Sequence, residues 1–325
     1  MKKKDFKIIF MGTPDFAVES LKKLISEGYY IAAVVTNPDK PAGRGRKLKE
    51  SAVKEYAVSQ NLPIIQPEDI KSDNFKHKLE EIAPHLQIVV AFKILPPEIF
   101  TIPGYGTFNL HASLLPQYRG AAPINHVIIN GEKETGVTTF LLDNKIDTGK
   151  IIDQKKVTIS EKDNAGSLHD KLMHSGAELV VETTEALRTN NYSLTRQEDL
   201  MKPNQPLKKA PKIFKEDCLI NWYLKGRKIY DFIRGLSPYP ASWTEITDKT
   251  KNITLKIYQA KYEEARHSHL PGTIFSDDHS YVKIAVPDGF IHLKEIQVAG
   301  KKSMRIEEFL RGFKGINQFK CKTTD

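Results

Sequence analysis

Phe6-Lys-Ile-Ile-Phe-Met-Gly-Thr-Pro-Asp15 is the stretch on which the fold turns. A short apolar run (6–11) gives way at Gly12 to a tight turn, then to a helical pattern over 15–26 with a proline in its first turn. A second apolar run follows at 31–36 and a second helical pattern at 50–60. Strand, helix, strand, helix is the signature of a parallel sheet wrapped by crossover helices. Further along, 86–92, 106–110 and 137–142 read as strands, and 165–188 as a helix with Leu168, Leu172, Leu179 and Leu187 on its apolar face. The predicted class is α/β, a doubly wound, mostly parallel, Rossmann-like sheet over residues 1–189. Such sheets take ligands beyond the carboxyl ends of their strands. The turn after the first strand lacks the remaining glycines of the dinucleotide fingerprint, which disfavours a nicotinamide cofactor.

Residues 190–211 are polar and include Pro203, Pro206 and Pro211, the composition of a linker. Beyond it lie a helical stretch at 226–235 and short alternating runs at 242–246, 254–260, 281–286 and 291–298. These predict a small β-barrel or sandwich over 212–325. Two domains also suit 325 residues, since a single core usually serves about 100 to 200.

Composition excludes several classes. With 40% apolar and 27% charged residues the chain is neither disordered nor fibrous. No run approaches the roughly 18 apolar residues that span a bilayer, and the start Met1-Lys-Lys-Lys-Asp5 has no secretory-signal pattern. Cys218 and Cys321 lie far apart without metal-ligand spacing, so neither a disulfide framework nor zinc is expected, and the cytoplasm is the expected compartment. Net charge is +9, and it is uneven: residues 1–199 hold 26 Lys/Arg against 26 Asp/Glu, residues 200–325 hold 23 against 14. A second basic concentration, Lys40, Arg44, Arg46, Lys47, Lys49 and Lys54, sits between 39 and 54. Both suit a polyanionic partner, and both also suit an ordinary basic surface.

The segment Gly106-Thr-Phe-Asn-Leu-His-Ala-Ser-Leu-Leu-Pro-Gln-Tyr-Arg-Gly-Ala-Ala-Pro123 carries the chemical signal. On a strand, Asn109 and His111 share a face, so an amide donor and an imidazole converge near the strand's end. Such a pair is more often structural than catalytic. Asp147, in the turn-rich run Asp143 to Gly149, could serve only its turn or could reach the imidazole and fix its tautomer. There is no nucleophile elbow, no Cys–His pair and no clustered metal ligands, which leaves direct group transfer.

At this level of detail Asn109-Leu-His-Ala-Ser-Leu-Leu-Pro116, together with Asp147-Thr-Gly149, resembles the formyltransferases that use 10-formyltetrahydrofolate. Phe10 to Phe16, Pro41-Ala-Gly-Arg-Gly-Arg46 and Arg119-Gly-Ala-Ala-Pro123 are similar to those members whose formyl acceptor is the amino group of methionyl-tRNA. The likeness continues in order into Pro271-Gly-Thr-Ile274. It implies a doubly wound catalytic domain followed by a barrel of the oligonucleotide-binding (OB) type that binds tRNA. It implies a catalytic set of Asn109, His111 and Asp147, and a folate site lined by Ile94, Ser113, Leu114, Leu115 and Pro116. Ala91-Phe-Lys-Ile-Leu-Pro96 departs from the family pattern by being one residue shorter and lacking its glycine.

On this reading Asn109 and His111 bind the oxyanion of a tetrahedral intermediate, while Asp147 holds His111 and helps move the amine proton. Lys40, Arg44, Arg46, Lys47 and Lys49 form a loop that meets the acceptor stem of initiator methionyl-tRNA. No metal is required, and a monomer is expected. Two rivals stand beside it: a sugar-nucleotide formyltransferase, which has no use for the basic loop, and a non-catalytic RNA-binding protein, against which the intact Asn, His and Asp set argues.

Overall fold

The computed structural model describes residues 1–42, 47–201, 206–248 and 250–322. The backbone separates into two compact units, Met1–Gly120 with Glu134–Thr158 and His169–Lys209, and Ala121–Lys133 with Ile159–Leu168 and Ala210–Asp325.

The first unit is built on a seven-stranded sheet. Its strands are β1 (Lys7–Gly12), β2 (Tyr30–Val35), β5 (Ile64–Ile65), β6 (Leu86–Val90), β7 (Thr107–His111), β8 (Glu134–Leu141) and β9 (Ile151–Thr158), in the order β5-β2-β1-β6-β7-β8-β9. Strands β3 (Lys40–Ala42) and β4 (Lys47–Lys49) form a separate antiparallel ribbon. From β5 to β7 every pairing is parallel, whereas β8 and β9 run antiparallel. The mostly parallel reading therefore holds. The central strands β1 and β6 are buried on both faces, which is why they read as mostly apolar runs, with Gln87 of β6 the buried polar exception. Gly12 ends β1 because helix Asp15–Ser26 crosses close by: a Cβ there would lie 2.7 Å from that of Ala17.

Helix Ala52–Ser59 starts where Ser51 accepts the Lys54 amide, and helix Asp73–Ile82 where Ser72 accepts that of Phe75. The core between the sheet and the second of these helices gathers Ile9, Met11, Val35, Phe75, Leu79 and Ile99.

The second unit is an antiparallel sheet of β10 (Ser242–Thr247), β11 (Asn252–Glu264), β12 (Ile274–Ser276), β13 (Val282–Val286), β14 (Gly289–Val298), β15 (Met304–Arg305) and β16 (Lys320–Cys321). Its order is β12-β13-β14-β11-β10-β16, and a bridge from Thr273 to Lys320 brings the two edges together, so the sheet curls into a barrel. Helix Gly226–Leu236 contributes Ile229 and Ile233 to a core shared with Trp222, Ile257, Ile284, Ile291 and Ile296. Trp222 is fully buried and donates its indole N–H to Thr244, 3.0 Å away. The barrel expectation is met. No helix among the described residues is long and apolar enough to cross a membrane.

Candidate active site

Strand β7 leaves the sheet between β6 and β8, with Asn109 opposite Val89 and Phe140 and His111 opposite Thr138. Asn109 is half-buried, and its carboxamide has no hydrogen-bond partner among the described residues. His111 is buried, and its Nε2 lies 2.9 Å from the Tyr118 carbonyl oxygen. A carbonyl only accepts, so Nε2 must carry the hydrogen. In the neutral ring, Nδ1 then keeps its lone pair, and no described residue claims it.

After β7 the chain turns on itself. The Ser113 hydroxyl donates to the Gln117 carbonyl at 2.7 Å. Thr138 of β8 donates to the Ser113 carbonyl at 2.6 Å and receives the Leu115 amide at 3.2 Å. Gln154 of β9 donates to Leu115 O at 2.9 Å. Ser113, Leu115 and Pro116 are thus buried and fixed from two strands, with Leu115 packed on Phe140 and Ile151. Of the residues assigned to the folate site, Leu114 is half-buried and Ile94, in the segment after β6, is 70% exposed; only these two present much surface.

Asp147 arrives from the connection between β8 and β9. It adopts φ +56°, a left-handed conformation that Asp tolerates better than most residues. Asp143 caps the approach by accepting the Lys145 amide at 3.0 Å and the Thr148 hydroxyl at 2.8 Å. Gly149 closes it: a Cβ there would sit 1.7 Å from the Leu141 carbonyl oxygen, so no other residue fits without moving the chain.

The carboxylate of Asp147 accepts the Gly120 amide at 3.0 Å. His111 and Asp147 are therefore fastened to positions 118 and 120 of one turn. No hydrogen bond joins them directly among the described residues. The expectation that Asp147 holds the imidazole is corrected here: a backbone carbonyl, already in place seven residues downstream of the histidine, sets the tautomer instead.

The described parts of the basic segment, Lys40–Ala42 and Lys47–Lys49, pair as two antiparallel strands, where composition alone predicts a loop. Lys40 of β3 stands opposite Lys49 of β4, and both are exposed. At its base Lys54 pairs with Asp39 and, at 2.9 Å, with Glu50, and the Lys54 ammonium holds the Asp39 carboxyl below its usual range. Arg44 and Arg46, and the side chain of Lys47, lie outside the described residues.

A Rossmann-like sheet with an amide and an imidazole at the end of its fifth parallel strand, followed by an antiparallel barrel, defines a formyl transferase, and both parts match: residues 6–184 the family described as Formyl transferase and residues 212–314 its Formyl transferase, C-terminal domain. A Methionyl-tRNA formyltransferase from Parabacteroides distasonis is 53% identical over 98% of this chain and 99% of its own. Another from Bacteroides thetaiotaomicron is 50% identical over 97% and 98%. The chain belongs to the methionyl-tRNA formyltransferase family. An N-formyltransferase from Helicobacter canadensis, solved with folinic acid and dTDP-3-aminofucose, has a TM-score of 0.63 at 23% identity over 90% of this chain and 98% of that one, a likeness of fold alone.

Sequence reasoning missed the residues that hold this site: Thr138, Gln154, the backbone of Tyr118 and Gly120, and Gln197. For Thr138 the signal is its place in the strand read at 137–142, where an inward polar residue needs a partner; Gln154 lies on β9, which the sequence does not reveal.

Proposed function

We propose that the chain transfers the formyl group of 10-formyltetrahydrofolate to the α-amino group of initiator methionyl-tRNA, with Asn109, His111 and Asp147 as its catalytic set. The observation that carries this reading is the anchoring of His111 and Asp147 to one turn, at Tyr118 and Gly120, while Asn109 stands two residues before the histidine with its amide uncommitted.

The uncharged amine attacks the formyl carbon, the new C–N bond forms, and the carbonyl electrons move onto oxygen. Asn109 supplies an N–H to that oxyanion. Because Nε2–H of His111 is engaged with Tyr118, Nδ1 acts as the base: it accepts the proton released by the attacking nitrogen and returns it to N10 of the folate as the C–N10 bond breaks. This modifies the oxyanion role first expected of His111, since a neutral ring tied at Nε2 has no second hydrogen to donate. The free oxygen of Asp147 favours the imidazolium while it lasts.

Ile94 and Leu114 offer apolar surface to the pteridine, with Ser113, Leu115 and Pro116 as the wall behind. Lys40 and Lys49, with Arg44, Arg46 and Lys47, meet the acceptor stem. Like charges directly opposite on a two-stranded ribbon repel, and a phosphate between them relieves that repulsion.

The test is incubation with 10-formyltetrahydrofolate and charged initiator tRNA, followed by hydrolysis and detection of formylmethionine. Formylation of initiator but not elongator methionyl-tRNA is expected. Preferential formylation of an amino-sugar nucleotide would overturn the proposal.

A further inference from the structure

Gln197 lies in the stretch whose composition reads as linker, yet it is fully buried and every hydrogen-bonding position of its carboxamide is filled. Its Nε2 donates to the carbonyls of Asp147 and Gly149, each at 2.9 Å. Its Oε1 accepts Nε and Nη2 of Arg119 at 2.9 and 2.6 Å. The orientation is unambiguous: a flipped amide would set donor against guanidinium and oxygen against two carbonyls.

These bonds close a ring. Arg119 is bonded covalently to Gly120, Gly120 donates its amide to the Asp147 carboxylate, and Asp147 returns to Arg119 through its own carbonyl and Gln197. The turn bearing Asp147 has a left-handed residue at 147 and no room for a side chain at 149, so it holds its shape only while both ends are fastened. Two backbone bonds between Thr195 and Ile151, both 2.9 Å, pin the chain just before Gln197.

We infer that Gln197 is a positioning residue for formyl transfer: it fixes the Asp147 carboxylate relative to the 118–120 turn that also orients His111. The inference rests on the proposed role of Asp147.

The experiment compares Gln197→Glu and Gln197→Met in the full chain, each alone and combined with Asp147→Asn, by steady-state formylation of methionyl-tRNA. Gln197→Glu keeps the size and the partner for Arg119 but opposes a carboxylate to two carbonyls. Gln197→Met keeps the volume and removes every hydrogen bond.

Either should lower kcat about 10- to 100-fold, the scale for a catalytic group displaced by about an ångström. KM for tRNA and for the formyl donor should stay within about twofold, because ground-state binding is not what the ring controls. Added to Asp147→Asn, either should cost no more than about twofold further, since residues acting through one another are not additive.

Full kcat in a folded Gln197 variant, or losses that multiply with that of Asp147→Asn, would overturn the inference. Wild-type turnover in Asp147→Asn alone would instead remove the role of Asp147, and the positioning claim with it. If neither Gln197 variant folds, Arg119→Met opens the same ring from its other side and is judged by the same coupling.

Discussion

At the scale of single residues, the most exposed claim concerns His111. Removing its ring takes away the proposed proton acceptor, so His111→Ala should lower kcat by about 10²- to 10⁴-fold with little change in KM for folate. Steady-state kinetics at saturating tRNA decide it, and a variant keeping most of its turnover refutes the assignment. A second residue reports on pH. Cys321 is buried against the barrel core, and burial pushes its thiol up from 9.0 to about 12, offset in part by a hydrogen bond with Thr244. Below pH 9 folded and unfolded chains both hold the proton, and the thiol's contribution is fully present. Between pH 9 and about 12 only the unfolded chain releases it, so stability falls as pH rises, by about 1.4 kcal/mol per pH unit for one proton. Urea denaturation of wild type and Cys321→Ala from pH 8 to 11 should show the two curves converging. A pH-independent gap between them contradicts the shift.

At the scale of elements, what could be read and what could not divides along physical lines. Strands β1, β2 and β6 were legible because burial on both faces demands mostly apolar runs, and helices 15–26 and 165–188 because their buried positions recur at helical spacing. Asn109 and His111 were legible as a pair because alternation on a strand is strict. Strand β9 was not, since this edge strand carries Asp153, Lys155 and Lys156 on a mostly solvated surface. Nor were β5, β15 and β16, each two residues long and defined only by their neighbours.

The ribbon of β3 and β4 was hidden for the opposite reason: its cross-strand neighbours Lys40 and Lys49 repel, so nothing local argues for pairing. That arrangement makes a prediction. Lys40→Glu creates an attractive pair with Lys49 and should leave the free protein as stable or slightly more so, by at most about 1 kcal/mol. It should nonetheless raise KM for tRNA and flatten its salt dependence. Thermal melting and tRNA titration on the same preparation separate the two effects, and an unchanged KM removes the ribbon from the tRNA contact.

For the whole molecule the informative quantity is charge. Residues 1–199 balance, and the net +9 resides in residues 200–325, most of which form the barrel unit. Charge skew alone is compatible with mere solubility, and folding onto a barrel does not decide between that and polyanion binding. Salt does. If the surplus faces phosphates, raising salt from about 50 to 200 mM should raise KM for tRNA at least tenfold, because each neutralised phosphate adds close to one to the log–log slope. Turnover at saturating tRNA should change little, since the chemistry proposed for β7 is carried by short-range contacts. Exposed Lys225, Lys228 and Lys261 of the last third, changed together to Gln, should lower that slope. Lys22, exposed, and Lys76, half-buried, are paired with Glu19 and Glu80 and should not lower it when changed in the same way. Equal slopes in the two variants would mean that the charge excess of the barrel unit serves the surface of the protein and not its substrate, and that tRNA is held by the first unit alone.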